Sequence, residues 1–339
     1  MMARLRVLSG KVWHLPLGFA LGLAAIGVLA GLRQAPQAEG QLSVFATVFL
    51  GIFIEAVPFL FLGTLASGLV EVFVRREVLL RLLPTGAFAG ALTGSLLGML
   101  FPVCECGVIP LGRRLIRKGV RLPVGIAFML AAPVVNPVVI ASTIAAFGLG
   151  PMALWRFALS GLIALAVGLV FSVEQQPQRL LQVAPLQGGT SVADAPFLTK
   201  PLRARVQQSL QIAAQEFFEM GRFLILGAGL AGLMQTLVPQ SFLLGLGSGP
   251  VLSVLVLMLL AVVLSICSTV DSFVALAFAR AFTGGSVLAF LVFGPMVDIK
   301  STLLYLNVFR RRTVLYILLL TFMLTLVGAV FVNLYLPWA

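Results

Sequence analysis

Cys104 and Cys106 stand one residue apart with Glu105 between them, in the run PVCECGVIPLGRRLIRKG at 102–119. A third cysteine, Cys267, precedes Ser268 and Asp271 in the segment CSTVD. Thiolates favour soft, thiophilic partners such as trivalent arsenic, cuprous copper or zinc. Cys267 and Asp271, four residues apart, share one face if the segment is helical. The plainer reading treats each buried thiol as a small hydrophobe. Three cysteines are an odd number with no disulfide-framework spacing, and a bridge between Cys104 and Cys106 would be strained. The lone histidine, His14, supports neither a histidine metal site nor a triad, so no metal site is assigned beyond Cys104 and Cys106 as candidate soft-metalloid ligands.

Five acids, Glu55, Glu105, Glu219, Asp271 and Asp298, interrupt otherwise apolar runs. A charge there costs several kcal/mol unless paired or hydrated, which makes such residues functional candidates. Structural pairing with Arg156, Arg222, Arg280 or Lys300 is the competing account. Arg222 follows Glu219 by three residues on one helical face. Asp298 and Lys300 share no face unless the helix breaks near Pro295. Pro133, Asn136 and Pro137, and later Pro295 with Asp298, are expected to break their helices and free carbonyls and helix ends.

The elements that carry these residues must lie in a bilayer. The chain has 339 residues, of which 60% are hydrophobic and 10% charged, with mean hydropathy +1.11. That places it outside soluble domains, as a multi-pass all-α membrane protein. The net charge of +12 follows from the Lys and Arg that orient cytoplasmic loops and calls for no nucleic acid. Apolar runs at 15–32, 43–74, 122–148, 151–172, 210–236, 286–309 and 313–336 are long enough to span. The first follows Arg4, Arg6 and Lys11 and reads as a retained signal anchor. Two interrupted runs, 86–112 and 249–285, carry the cysteine motifs.

Basic clusters in the N-terminus, 75–81, 113–121, 173–209 and Arg310–Arg312 hold 18 of the 23 Lys and Arg residues. All belong inside by the charge rule, with the N-terminus cytoplasmic. Residues 75–81 and 113–121 then share a side, so the segment between them is expected to be a re-entrant hairpin. The stretch 249–285 is expected to do the same from the other side. The halves also align: IEAVPFLFLGTLASGL (54–69) matches FEMGRFLILGAGLAGL (218–233), and AAPVVNP (131–137) matches FGPMVDI (293–299). Glu55 thus falls on Glu219, and Asn136 on Asp298. The expected fold is two inverted-topology repeats, each with a re-entrant hairpin and a broken helix, plus an N-terminal extra helix. The boundaries are 1–42 for the anchor and external loop, 43–172 for the first repeat, 173–209 for a cytoplasmic linker and 210–339 for the second repeat.

The segments PVCECGVIPLGRRLIRKGVRLPVGIAFMLAAPVVNPVV and FGPMVDIK resemble the predicted-permease family that includes organoarsenical exporters of the ArsP type, over roughly residues 45–335. The resemblance implies a bacterial inner-membrane permease, with efflux of trivalent organoarsenicals as the activity of some members. It marks Cys104, Cys106, Pro110, Pro133, Asn136, Pro137, Pro295 and Asp298 as site-forming. The expected function is alternating-access transport of a small thiophilic or anionic solute between two re-entrant tips. No GxxxxGK[ST] loop is present and no cofactor is expected. Energy comes from a gradient or another subunit, with a proton on Glu55, Glu219, Asp271 or Asp298 as the natural coupling. The expected partners are the lipid bilayer and a small-molecule or metalloid substrate; a homo-oligomer is compatible. An intramembrane thiol enzyme or sulfur-compound transferase using Cys104 and Cys106, and a passive channel, remain alternatives.

Overall fold

The computed structural model describes residues 36–75, 77, 78, 81, 83, 84, 86–100, 104–173, 201–237, 249–279 and 281–335. The expected anchor at 15–32, most of the linker and nearly all of the external connection at 237–248 lie outside these residues. Twelve α-helices and no strand occur among the described residues. They are α1 (Pro36–Phe73), α2 (Ala87–Leu100), α3 (Glu105–Arg117), α4 (Leu122–Ala131), α5 (Pro137–Phe147), α6 (Pro151–Val170), α7 (Leu202–Leu237), α8 (Leu252–Leu264), α9 (Asp271–Phe278), α10 (Gly284–Met296), α11 (Ile299–Val308) and α12 (Arg311–Tyr335). Helix α7 begins at Leu202, so the last residues of the expected linker are helical. Contacts divide the chain into residues 1–48 and 49–339. The described part of the first unit is the opening of α1; the rest of α1 and all the later helices belong to the second.

Five stretches are long and apolar enough to cross a bilayer: Leu42–Phe73, Pro151–Val173, Leu202–Thr236, Gly284–Val308 and Arg311–Tyr335. Helices α2, α4, α5 and α8 are apolar but too short to cross as helices. On α12, Leu315, Leu319, Met323, Val327 and Phe331 are exposed at a spacing of four, while Thr313, Thr321 and Thr325 are buried. An apolar outside with hydroxyls inside suits lipid rather than water. The protein is a multi-pass membrane protein.

The interior is built from the interrupted helices. Helix α4 is buried along its length and α10 from Gly285 onward. Helices α2 and α6 pack on α4, α8 and α12 pack on α10, α3 meets α11, and α9 meets α5. Glycines set the closest approaches: at Gly98 of α2 an added Cβ would stand 2.8 Å from the Cα of Ala132, and at Gly227 of α7 it would stand 2.9 Å from the Cα of Lys300. Such small residues let backbones touch where lipid offers no hydrophobic drive to associate.

The helix breaks have local causes. Asn136 caps α5, accepting from the Val139 N–H at 2.9 Å, while its Nδ2 donates to the Ala132 carbonyl at 2.9 Å. Pro137 follows as the first helical residue, where its missing N–H costs nothing. Asp298 caps α11, accepting from the Ser301 N–H at 2.6 Å, and the Ser301 hydroxyl accepts from the Asp298 N–H at 2.9 Å. That reciprocal pair is a capping box with serine in the third position. The two residues that align in sequence, Asn136 and Asp298, therefore each cap the helix that follows with a side-chain oxygen.

Candidate functional site

Three helix ends meet inside the protein. Helix α3 begins at Glu105, directly after Cys104. Helix α8 ends at Leu264 and is capped by Ser265, whose φ of 46° turns the chain toward 266–270 before α9 begins at Asp271. A non-glycine residue in the left-handed region is uncommon. Here its hydroxyl is used twice, donating to the Val262 carbonyl at 2.9 Å and accepting from the Ile299 N–H at 3.3 Å. That second bond ties the end of α8 to the start of α11.

Lys300 Nζ lies 3.3 Å from Glu105 Oε1 and 3.5 Å from Asp298 Oδ2, and all three residues are buried. The break at 297–298 is what lets Asp298 and Lys300 meet, since an unbroken helix would turn them apart. One sulfur each from Cys104 and Cys267 and a carboxylate oxygen of Glu105 lie within 4.8 Å of one another. All three cysteines are free and buried. Glu105 Oε2 and the neighbouring Ser268 Oγ are buried without a hydrogen-bond partner. The formal charge of the cluster is one cation against two anions, with both carboxylates at helix N-termini, where the dipole favours them.

A second buried network stands beside it. Arg156, fully buried on α6, donates to Asp271 Oδ2 at 2.7 Å, to the Ser272 hydroxyl at 2.7 Å and to the Thr143 hydroxyl at 2.8 Å. It joins α6 and α5 to α9. Asp271 thus lies in this network rather than against the thiols.

The basic stretch of α3 corrects a sequence expectation. Arg113, Arg114 and Lys118 are buried, not a solvated loop. Arg113 pairs with Glu219 at 3.1 Å, and Arg114 approaches Glu216 at 3.6 Å and Glu71 at 3.8 Å. Lys118 Nζ donates to the carbonyls of Val70, Glu71 and Val74 at 2.7–2.9 Å, closing the C-terminus of α1. Helix α3 itself ends in a Schellman turn at Gly119, with φ 95° and the Val120 N–H bonded to the Leu115 carbonyl at 3.1 Å. The physical reason for the correction is that α1 and α7 carry matching carboxylates at that end. Glu219 accordingly pairs with Arg113 and accepts from Asn307 Nδ2 at 3.3 Å, while Arg222 is exposed, so the expected Glu219–Arg222 pair does not form.

Of the residues singled out from the sequence, Cys104, Glu105, Cys267 and Asp298 come together, with Cys106 and Ser268 buried next to them in the chain. Asp271 is close by, and Asn136 and Pro137 form the other break. Pro133 lies buried in the turn between α4 and α5, Pro110 is buried within α3, and Pro295 is in the last turn of α10. Glu55 is half-buried on α1 and makes no hydrogen bond or ion pair among the described residues. The bases Lys300, Arg156 and Arg113 entered only as pairing partners or as loop charges. Lys300 and Arg156 interrupt apolar runs as the acids do, and the same criterion applied to them finds both centres.

Residues 41–334 match the ArsP_1 family, described as a predicted permease. The chain is 42% identical over 288 residues to the UPF0718 protein YcgR of Bacillus subtilis, covering 85% of this chain and 96% of the relative. It is 34% identical over 275 residues to a Streptococcus mutans protein named as a candidate subunit of a two-component membrane permease complex, covering 79% of this chain and 88% of that one. A shorter match, 32% over 116 residues, is to the UPF0718 protein YraQ of Escherichia coli, covering 34% of this chain and 31% of the relative. No solved structure matches.

Proposed function

Because the chain belongs to the ArsP_1 predicted-permease family, a transporter rather than an enzyme, we propose that it exports a small thiophilic solute across the bacterial inner membrane by alternating access. Trivalent organoarsenicals are the cargo class its resemblance suggests. The observation that carries this reading is the convergence of Cys104 and Glu105 from the first half with Cys267 from the second, within 4.8 Å, at the ends of interrupted helices. A solute bound there touches both halves, so rocking one against the other alters its access. The excess of carboxylate over amine at the cluster favours a thiophilic solute over an anionic one.

We read the two halves as inverted repeats, with α2–α3 and α8–α9 as re-entrant hairpins. Support comes from order and packing. Each half runs as a long helix, an interrupted pair, a capped broken helix and a final span. The C-terminal part of α1 packs against the N-terminal part of α7: Phe61 meets Phe217, the Ser67 hydroxyl donates to Glu216 at 2.6 Å, and Arg205 lies over the Phe73 ring, an order that runs these matched helices antiparallel. Non-helical backbone at this depth is sustained because protein buries it. The name of the Streptococcus mutans relative favours a second membrane component as partner.

The test is growth of an arsenical-sensitive bacterium expressing the protein. The expected result is raised tolerance of trivalent methyl- or phenylarsenicals, lost in Cys104→Ser and Cys267→Ser and kept in Glu55→Gln. Full tolerance in a variant lacking both thiols would remove the thiophilic reading.

A further inference from the structure

The thiols, the spare carboxylate oxygen and the charge of the cluster point to more than an organic cargo. Resting on the thiophilic reading above, we propose that Cys104, Cys267 and Glu105 form a binding site for a soft divalent metal ion of the zinc or cadmium type. Two sulfurs bound to one ion at about 2.3 Å each stand no more than about 4.6 Å apart. The three ligand atoms here already lie within 4.8 Å of one another, so binding needs only a small closure. Glu105 Oε2, on a residue 2% exposed, has no hydrogen-bond partner, while Oε1 is engaged by Lys300. A buried acceptor with nothing to accept is costly, and a metal ion supplies what it lacks.

Charge decides between ligand classes. Glu105, Asp298 and Lys300 together carry one formal negative charge. Binding a divalent ion breaks two S–H bonds, forms two metal–sulfur bonds and releases two protons to water. No electron is transferred, and the site keeps the same net charge. An oxyanion would instead add negative charge to a buried site that already holds an excess carboxylate, which is strongly unfavourable. Lys300 has a defined part in this. It engages one oxygen of Glu105 and lies beside Asp298, which leaves the other oxygen of Glu105 free to accept. Cys106 is buried nearby in sequence but is not one of the three convergent ligands. The site therefore draws one sulfur from each half instead of two from the CEC motif.

The experiment is titration of the purified full chain in nanodiscs with cadmium, read by the ultraviolet thiolate-to-metal charge-transfer band and by proton release in weak buffer. Expected are one cadmium and two protons per chain. Cys104→Ser and Cys267→Ser should each lower affinity at least tenfold, with Cys106→Ser close to the parent, provided each variant elutes as the parent does on gel filtration. Glu105→Gln should weaken binding while leaving the charge-transfer band in place at saturation. Loss of the band in Cys106→Ser with retention in Cys267→Ser overturns the cross-half site. If cadmium produces no band while phenylarsine oxide still protects Cys104 and Cys267 from alkylation, the metal site is refuted and the thiophilic permease stands. If neither ligand binds, both readings fail.

Discussion

Two buried charged centres lie near each other in this protein and are finished differently. Around Arg156 the guanidinium meets Asp271, Ser272 and Thr143, and both oxygens of its acid are engaged, so that only a donor, Arg156 Nε, lacks a partner. Around Lys300 two carboxylates share one ammonium, one carboxylate oxygen has no partner, and two thiol sulfurs lie within 4.8 Å of a Glu105 oxygen. The first is a lock across helices; the second keeps acceptor capacity in reserve. In a low-dielectric interior both arrangements depend on every partner being present. The difference teaches that burial of charge alone does not mark a site. What marks it is an acceptor left over beside atoms able to bind.

The largest expected effect breaks the lock. Arg156→Ala leaves Asp271 as an uncompensated buried charge and is expected to destabilise the protein by about 3–5 kcal/mol, read as a large drop in melting temperature in detergent. Adding Asp271→Asn should recover part of it. An unchanged melting temperature in the single variant would show that the network is not a lock. The next effect sharpens the comparison at the two capped breaks. Asp298→Asn keeps a good N-cap and should cost less than Asp298→Ala, which loses the cap at about 1 kcal/mol as well as an anion beside Lys300. Asn136→Asp, also a good cap, places a carboxylate where no lysine pairs with the native residue, and should be the more harmful of the two conservative exchanges. Equal melting temperatures for Asp298→Asn and Asn136→Asp would mean that the breaks differ only in name. The smallest effect is at Glu55, which makes no ion pair among the described residues: Glu55→Gln should stay within about 0.5 kcal/mol of the parent and leave arsenical tolerance unchanged. Lost tolerance with normal stability would bring Glu55 back as a coupling group.

Much of this was legible in the chain. The apolar runs located the spans because a bilayer demands about 20 such residues in a row. The start of α3 after Cys104 and the interruption at 265–270 were announced by polar residues inside apolar stretches, and the breaks before α5 and α11 by proline and capping residues at matched places. Less legible was partnership. Glu55 and Glu219 align, yet only Glu219 finds a cation, because Arg113 of α3 reaches α7. The basic run after the CEC motif suggested a loop, since charge counting cannot see the carboxylates of α1 and α7 that neutralise it.

By itself the sequence determined that the chain lives in a membrane, where it is interrupted, and that thiols and acids stand at the interruptions, because periodicity, hydropathy and capping are local properties of neighbouring residues. The tertiary structure decided which of those groups meet. Cys267 joins Cys104 rather than acting alone, Lys300 sits between Glu105 and Asp298, and Asp271 belongs to Arg156. The reason is that most of these contacts cross more than a hundred residues of chain and depend on how broken helices pack end to end, which no local pattern specifies.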